Sequence, residues 1–270
     1  MRLIASLVWT ACLLLQVAPV RAGETVPPAR TALLVAGPAE TTGTYALGVS
    51  FELPEGWHTY WRNPGDAGVA PLISTDGSRN LKSLAVRYPA PERYFDGFST
   101  SIVYHDKVVL PVTVTAEDPA APVDLRLSMT FGYCKEICVP ATAALEAELA
   151  PGSQTDGAAA EAIATYEARV PVDESRLGSG EVKLEPLAVD GDALRLTVRA
   201  AEDVADVDLF VEPPDGWYLA QPTEISRDDG KAVFRLPLKG KPKKAPLAGA
   251  EFRVTVVGVP QPFEAVRTAP

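Results

Sequence analysis

The sequence predicts an all-β protein of two tandem sandwiches joined by a short helix. Short runs alternate apolar and polar residues between Pro, Gly and Asp turn signals, and this spacing suits sandwich strands. A single alanine-rich stretch breaks the pattern near the middle of the chain. A strand–turn–tryptophan pattern then occurs twice, at "FELPEGWHTYW" (51–61) and "FVEPPDGWYLA" (210–220).

The alternating runs lie at 44–53, 107–116, 123–133, 193–200, 207–212, 232–238 and 251–259. Alternation of this kind marks strands with one face buried. The exception, "TDGAAAEAIATYEARVP" (155–171), places Ile163, Tyr166 and Val170 at helical spacing. Asp156 suits its N-cap, and Pro171 stops it. We read 153–172 as the connector between sandwiches at 23–152 and 173–270.

The repeat extends beyond the tryptophans. Each half continues with a strand holding an internal Leu-Pro, "VVLPVTV" and "FRLPLKG". Each closes on a final segment, "LRLSMTFGYCKEICVP" and "FRVTVVGVPQPFEA". On this reading Gly56-Trp57 and Gly216-Trp217 are equivalent, and the first copy carries the chemistry while the second is scaffold or docking surface.

The N-terminus sets the compartment. Arg2 precedes an apolar run to about Val17, and Val20 and Ala22 occupy the small-residue positions of a leader-peptidase site. Residues 1–22 therefore read as a signal peptide cleaved after Ala22, with export to the periplasm. Cys12 leaves with it. The remaining cysteines, Cys134 and Cys138, then lie where disulfides form. No later segment has the length and apolarity of a membrane span. A formal charge of −10 argues against nucleic acid or anionic lipid as a partner. The one basic cluster, "KGKPKK" (239–244), reads as a solvated loop.

Three readings remain open for Cys134 and Cys138. As a staple, a loop this short removes only on the order of 2 kcal/mol of denatured-state entropy. As a redox pair, strain and exposure make such a disulfide labile. As a copper(I) site, two soft thiolates gain a third ligand from His58 or His105. No Ser-His-Asp set, phosphate loop or carboxylate pair stands out, so the sequence makes no case for hydrolase or nucleotide chemistry. The densest aromatic stretch, "WHTYWRNPGDAG" (57–68), supplies Trp57, His58, Tyr60 and Trp61. These are core aromatics beside a turn, or the wall of a partner-docking surface.

Three segments in order, "EGWHTYWRNPGDAGVAP" (55–71), "YFDGFSTSIVYHDKVVLPVTV" (94–114) and "FGYCKEICVPA" (131–141), resemble the N-terminal periplasmic domain of the DsbD/ScsB thiol:disulfide interchange proteins. The short cysteine spacing is similar to the ScsB-like variant. The resemblance implies immunoglobulin-like sandwiches and an electron carrier or thiol/disulfide oxidoreductase that uses no cofactor. By position it implies that Cys138 forms mixed disulfides and Cys134 resolves them. Phe95, with neighbours Tyr94 and Phe98, falls where that family caps its cysteines. The implied partners are a thioredoxin-like domain of a membrane electron transporter and periplasmic disulfide-containing substrates. No membrane or thioredoxin-like domain follows in the sequence, so these partners are expected to be separate proteins.

Overall fold

The computed structural model describes residues 27–39, 41–178, 182–200, 205–228 and 230–270. The signal peptide expected at 1–22, with Cys12, lies outside the described residues. Among the described residues, ten strands form the first sandwich: β1 (Arg30–Pro38), β2 (Thr44–Glu52), β3 (His58–Gly65), β4 (Leu72–Ser74), β5 (Leu81–Val86), β6 (Glu92–Phe95), β7 (Thr100–His105), β8 (Lys107–Ala116), β9 (Val123–Cys134) and β10 (Cys138–Leu149). One sheet runs β1-β2-β8-β5. The other runs β10-β9-β3-β7-β6, with β4 also paired to β9. Their inner faces share a core that includes Phe51, Trp61, Leu110, Leu125 and Phe131.

Helix α1 (Gly157–Glu167) follows. Asp156 caps it as expected, accepting from the backbone N–H groups of Ala158 and Ala159 at 3.0 and 3.1 Å. The helix is more than a spacer. Ile163 packs with Ala36 and Val109 on the outer face of the β1-β2-β8 sheet. Gly48 makes that approach possible, because a Cβ there would lie 2.9 Å from Ile163 Cγ1. The run of buried residues through the middle of β2 records a strand covered on both faces.

The second sandwich contains β11 (Val172–Asp173), β12 (Val182–Leu184), β13 (Ala188–Asp190), β14 (Ala193–Ala200), β15 (Asp208–Glu212), β16 (Thr223–Asp228), β17 (Lys231–Pro237), β18 (Glu251–Val257) and β19 (Phe263–Thr268). Its sheets run β11-β19-β18-β15 and β12-β14-β17-β16, with β13 on β14. Its core includes Leu196, Trp217, Phe234, Phe252 and Phe263.

The internal repeat is present in the pairing order, with one correction. β17 sits between β14 and β16 as β8 sits between β2 and β5, and β15-β18-β19 follows β3-β9-β10. The Leu-Pro strands and the final hairpins thus correspond. The Gly-Trp turns do not, because Gly56-Trp57 leads into β3 whereas Gly216-Trp217 leaves β15. The two turns look alike because they are built alike. Each glycine has positive φ (75° and 77°), and each tryptophan N–H donates to a proline carbonyl three residues back, at 3.0 and 3.1 Å.

The sandwiches meet through a small apolar contact ringed by ion pairs. Phe210 and Val257 join the core of the first sandwich, with the Phe210 ring 5.9 Å from that of Trp61. Arg62 donates to Glu212, at 2.7 Å for its closest contact, and to Glu264. Arg93 makes a two-pronged contact with Asp208, 2.8 Å on each prong. Burial works against the Arg62 charge, but the hydrogen bonds and charges of Glu212 and Glu264 outweigh it and raise its pKa.

The packing of α1 is testable. Ile163→Ala should lower the stability of the first sandwich by about 2–4 kcal/mol, the usual cost of emptying a buried aliphatic site. Urea unfolding followed by tryptophan fluorescence measures it. An effect under about 0.5 kcal/mol, the scale of an ordinary surface substitution, would mean that the helix is not docked.

Candidate functional site

Strand alternation builds the site. In β9, Phe131 and Tyr133 enter the core, so Gly132 and Cys134 must leave the opposite face. Cys134 is the last residue of β9, Cys138 is the first of β10, and the two are register partners bonded through sulfur. Lys135, Glu136 and Ile137 form the turn between them, closed by the Lys135 N–H donating to the Ile137 carbonyl at 3.1 Å. The same row continues across the sheet, with Cys134 opposite His58 and His58 opposite His105. Directly opposed residues share a face, so Cys138, Cys134, His58 and His105 stand side by side on the outside of the sandwich.

The two sulfurs live in different surroundings. Cys134 is buried in a satellite cluster with Tyr60, Val103 and Tyr94, whereas Cys138 is exposed. The Tyr60 hydroxyl donates to Cys134 Sγ at 2.8 Å and lies 3.5 Å from Cys138 Sγ. Burial raises the Tyr60 pKa, with a smaller push from Asp96, so this hydroxyl stays protonated and remains a donor at neutral pH. One glycine makes room for the ring. A Cβ on Gly68 would lie 2.2 Å from Tyr60 Cε1. The "NPGDAG" turn is therefore shaped around Tyr60. Thr59, the next residue along β3, donates to the Gly132 carbonyl at 2.8 Å and pins that strand to β9.

His58 is packed among Tyr94, Tyr60 and His105, with ring centroids at 4.7, 5.5 and 5.7 Å. Burial, helped by the neighbouring His105 and opposed by Asp96, pushes its pKa down to about 4. It is a neutral imidazole at physiological pH. Among the described residues no group of three or more His, Cys, Asp or Glu side chains is arranged to hold a metal.

The expected site residues divide in two. Cys134, Cys138, Tyr60, His58 and Tyr94 come together in one cluster. Trp57 and Trp61 do not offer a docking wall. Both face inward, Trp57 against Tyr133 at 5.0 Å and Trp61 fully buried in the core. The place of Trp61 in β3 and the turn that holds Trp57 send both to the core face, opposite the disulfide. His58 and Tyr60 are buried as well, so their place is under the disulfide surface. Of the three cap residues, Tyr94 alone packs into the cluster that holds Cys134. Phe95 and Phe98 are 63% and 98% exposed, at and beyond the end of β6. The tip they share is closed by Asp96, whose carboxylate accepts from the N–H groups of Phe98 and Ser99, both at 2.8 Å.

Sequence reasoning missed an apolar rim. Val69, Leu72 and Ile137 are exposed, as are Phe95 and Phe98. Val69 borders Gly132, Leu72 pairs with Thr130 on the cysteine face of β9, and Ile137 precedes Cys138. The signal was present as apolar residues inside turns, "AGVAPL" and "KEIC", where burial is not expected.

With this geometry in view, residues 25–150 match the family described as thiol:disulfide interchange protein DsbD, N-terminal. This match and the geometry of the site support a DsbD/ScsB-type N-terminal domain over this segment. Residues 169–269 match a domain of unknown function, DUF8393. The crystal structure of the N-terminal periplasmic domain of ScsB from Proteus mirabilis superposes with a TM-score of 0.68 at 19% identity, over 90% of this chain and 92% of that one. That likeness shows the shared fold of both sandwiches. No curated protein sequence matches the chain. The DsbD N-terminal match implies thiol-redox partners for this site. No helix among the described residues is long and apolar enough to cross a membrane.

Two outcomes check the geometry. Unfolded His58 binds a proton near pH 6.5, while the folded residue resists until about pH 4. Its contribution is therefore complete above pH 6.5 and is lost as pH falls toward 4. The loss should approach about 3 kcal/mol at most. His58→Gln should flatten this part of the urea-stability profile, and an unchanged slope between pH 6.5 and 4 would exclude a buried neutral His58. Gly68→Ala should cost about 1–3 kcal/mol by overpacking against Tyr60. A thermal melt within a degree of the parent would show that the turn does not constrain the ring.

Proposed function

We propose that this chain is a periplasmic thiol:disulfide interchange protein that passes reducing equivalents through Cys134 and Cys138. The observation that carries the reading is the asymmetry of the pair. An exposed Cys138 is bonded to a buried Cys134 that already accepts a hydrogen bond from Tyr60. It occurs in a segment that matches the DsbD N-terminal family.

The chemistry follows from that asymmetry. A donor thiolate attacks Cys138 Sγ, the Cys134–Cys138 bond breaks, and the electron pair leaves on Cys134 as a thiolate. Tyr60 stabilises this leaving group by donating its O–H, a charge-assisted bond stronger than the one to a neutral sulfur. The donor's second thiol, deprotonated, attacks the mixed disulfide and releases the Cys138 thiolate. The donor ends oxidised, and this pair has gained two electrons and, on protonation, two protons. In the outward step the Cys138 thiolate attacks a substrate disulfide. Cys134 then resolves the mixed disulfide and regenerates its bond to Cys138, and the substrate leaves as a dithiol. In this reading a thioredoxin-like domain of a membrane electron transporter is the donor, and exported proteins are the acceptors. Tyr94 shields Cys134. Phe95 and Phe98, with Val69, Leu72 and Ile137, form the surface that a partner meets around Cys138.

The reduction potential tests this. Equilibrated in thiol buffers of set potential, the pair should titrate well above about −300 mV, in the range of labile disulfides. Cys134→Ser should accumulate mixed disulfides with a thioredoxin-like donor, and Cys138→Ser should form none. A potential below that range, with no trapped complex, would make the pair a structural staple and sink the carrier reading.

A further inference from the structure

Two tyrosines of the cluster that holds Cys134 stand on β3 and β6, and each strand is tied to the second sandwich by a nearby arginine. On β3, Arg62 lies two residues after Tyr60 and bonds Glu212 and Glu264. On β6, Arg93 immediately precedes Tyr94. Alternation sends Tyr94 into the cluster around Tyr60 and Cys134, 4.7 Å from the His58 ring, and Arg93 the other way, onto Asp208 and the Leu209 carbonyl at 2.9 Å, with its guanidinium 5.2 Å from the Phe210 ring. Asp208 is held in place by the Leu209 N–H, 2.7 Å from its Oδ1. The side chains of these pairs are only 20–26% exposed, so they are screened less than surface pairs. The forked Arg93–Asp208 contact also fixes orientation.

β6 needs such support. It is a four-residue strand at the end of its sheet, hydrogen-bonded to β7 on one side. A four-residue strand bonded on one side has few backbone hydrogen bonds of its own, so contacts from elsewhere matter to its position.

We propose that the second sandwich is a clamp that, through Asp208–Arg93 and Glu212/Glu264–Arg62, holds Tyr94 and Tyr60 over Cys134 and so confines thiol exchange to Cys138. Asp208 and Glu212 are positioning residues, since neither belongs to the cluster around the sulfurs. The inference does not need the carrier reading, because shielding acts on any thiol-directed reagent.

The full chain carries its own readout. Lys135 lies between the cysteines, so trypsin places them on separate peptides. The reduced protein is treated briefly with iodoacetamide, digested, and the adducts on each peptide are counted by mass. The parent should label far faster at Cys138. Asp208→Asn and Arg93→Gln should each raise the Cys134 to Cys138 labelling ratio by about tenfold, the scale of one charge-assisted contact. The double variant should go no further, because both act through one pair. Glu174→Gln is the control. It breaks an equally sheltered pair with Arg267 inside the second sandwich and should leave the ratio unchanged. Arg93→Lys keeps the charge but loses the fork, and should give an intermediate ratio if the harsher variants fail to fold. An unchanged ratio in all Arg93 and Asp208 variants would overturn the clamp. So would an equal rise in Glu174→Gln, which would indicate general loosening.

Discussion

In β9 successive side chains leave opposite faces, so Phe131 and Tyr133 cannot enter the core without sending Gly132 and Cys134 outside. That pleat decides most of what surrounds the disulfide. The same rule in β3 turns Trp61 inward and His58 and Tyr60 outward, and in β6 it separates Arg93 from Tyr94. Cross-strand register then lines up Cys138, Cys134, His58 and His105 in one row. The reactive surface is thus the reverse side of a well-packed sheet, and the core that stabilises the sheet also fixes the spacing of the row.

The repeated architecture puts one piece of structure to two uses. In the first sandwich the β9–β10 end holds the cysteines. In the second, the corresponding β18–β19 end supplies Val257 to the neighbouring core and Glu264 to Arg62. A hairpin end that is reactive in one copy is an interface in the other. The contact is mainly polar around one aromatic pair, as expected for domains within a chain that are not welded by a large apolar surface.

Much of this was legible from residue order. The alternating runs at 107–116 and 193–200 coincide with β8 and β14, and Asp156 announced its cap. β10 was hard to see because "CVPATAALEAEL" is rich in Ala and Glu, residues of low strand preference. Only its twelve-residue register with β9 makes it a strand. The site was half legible. The cysteines and the aromatic cluster stood out, but the split between inward tryptophans and outward His58 and Tyr60 needed the face of β3. "WHTYW" shows no polar–apolar contrast to reveal that face. Similarly, the Gly-Trp turns suggested the right repeat with the wrong alignment, because a local turn recurs wherever its hydrogen bond is wanted.

The β9–β10 pairing also bears on how long a covalent encounter lasts. The ladder holds the Cα atoms of Cys134 and Cys138 at 4.2 Å through backbone hydrogen bonds that do not depend on the sulfur–sulfur bond. Once that bond opens, the freed thiol has little space to explore, and its effective concentration at Cys138 far exceeds that of any thiol in solution. In the proposed carrier, a partner joined to Cys138 would be held beside a poised resolving group. The residence time of such an adduct would then be set by the strand register rather than by chain diffusion.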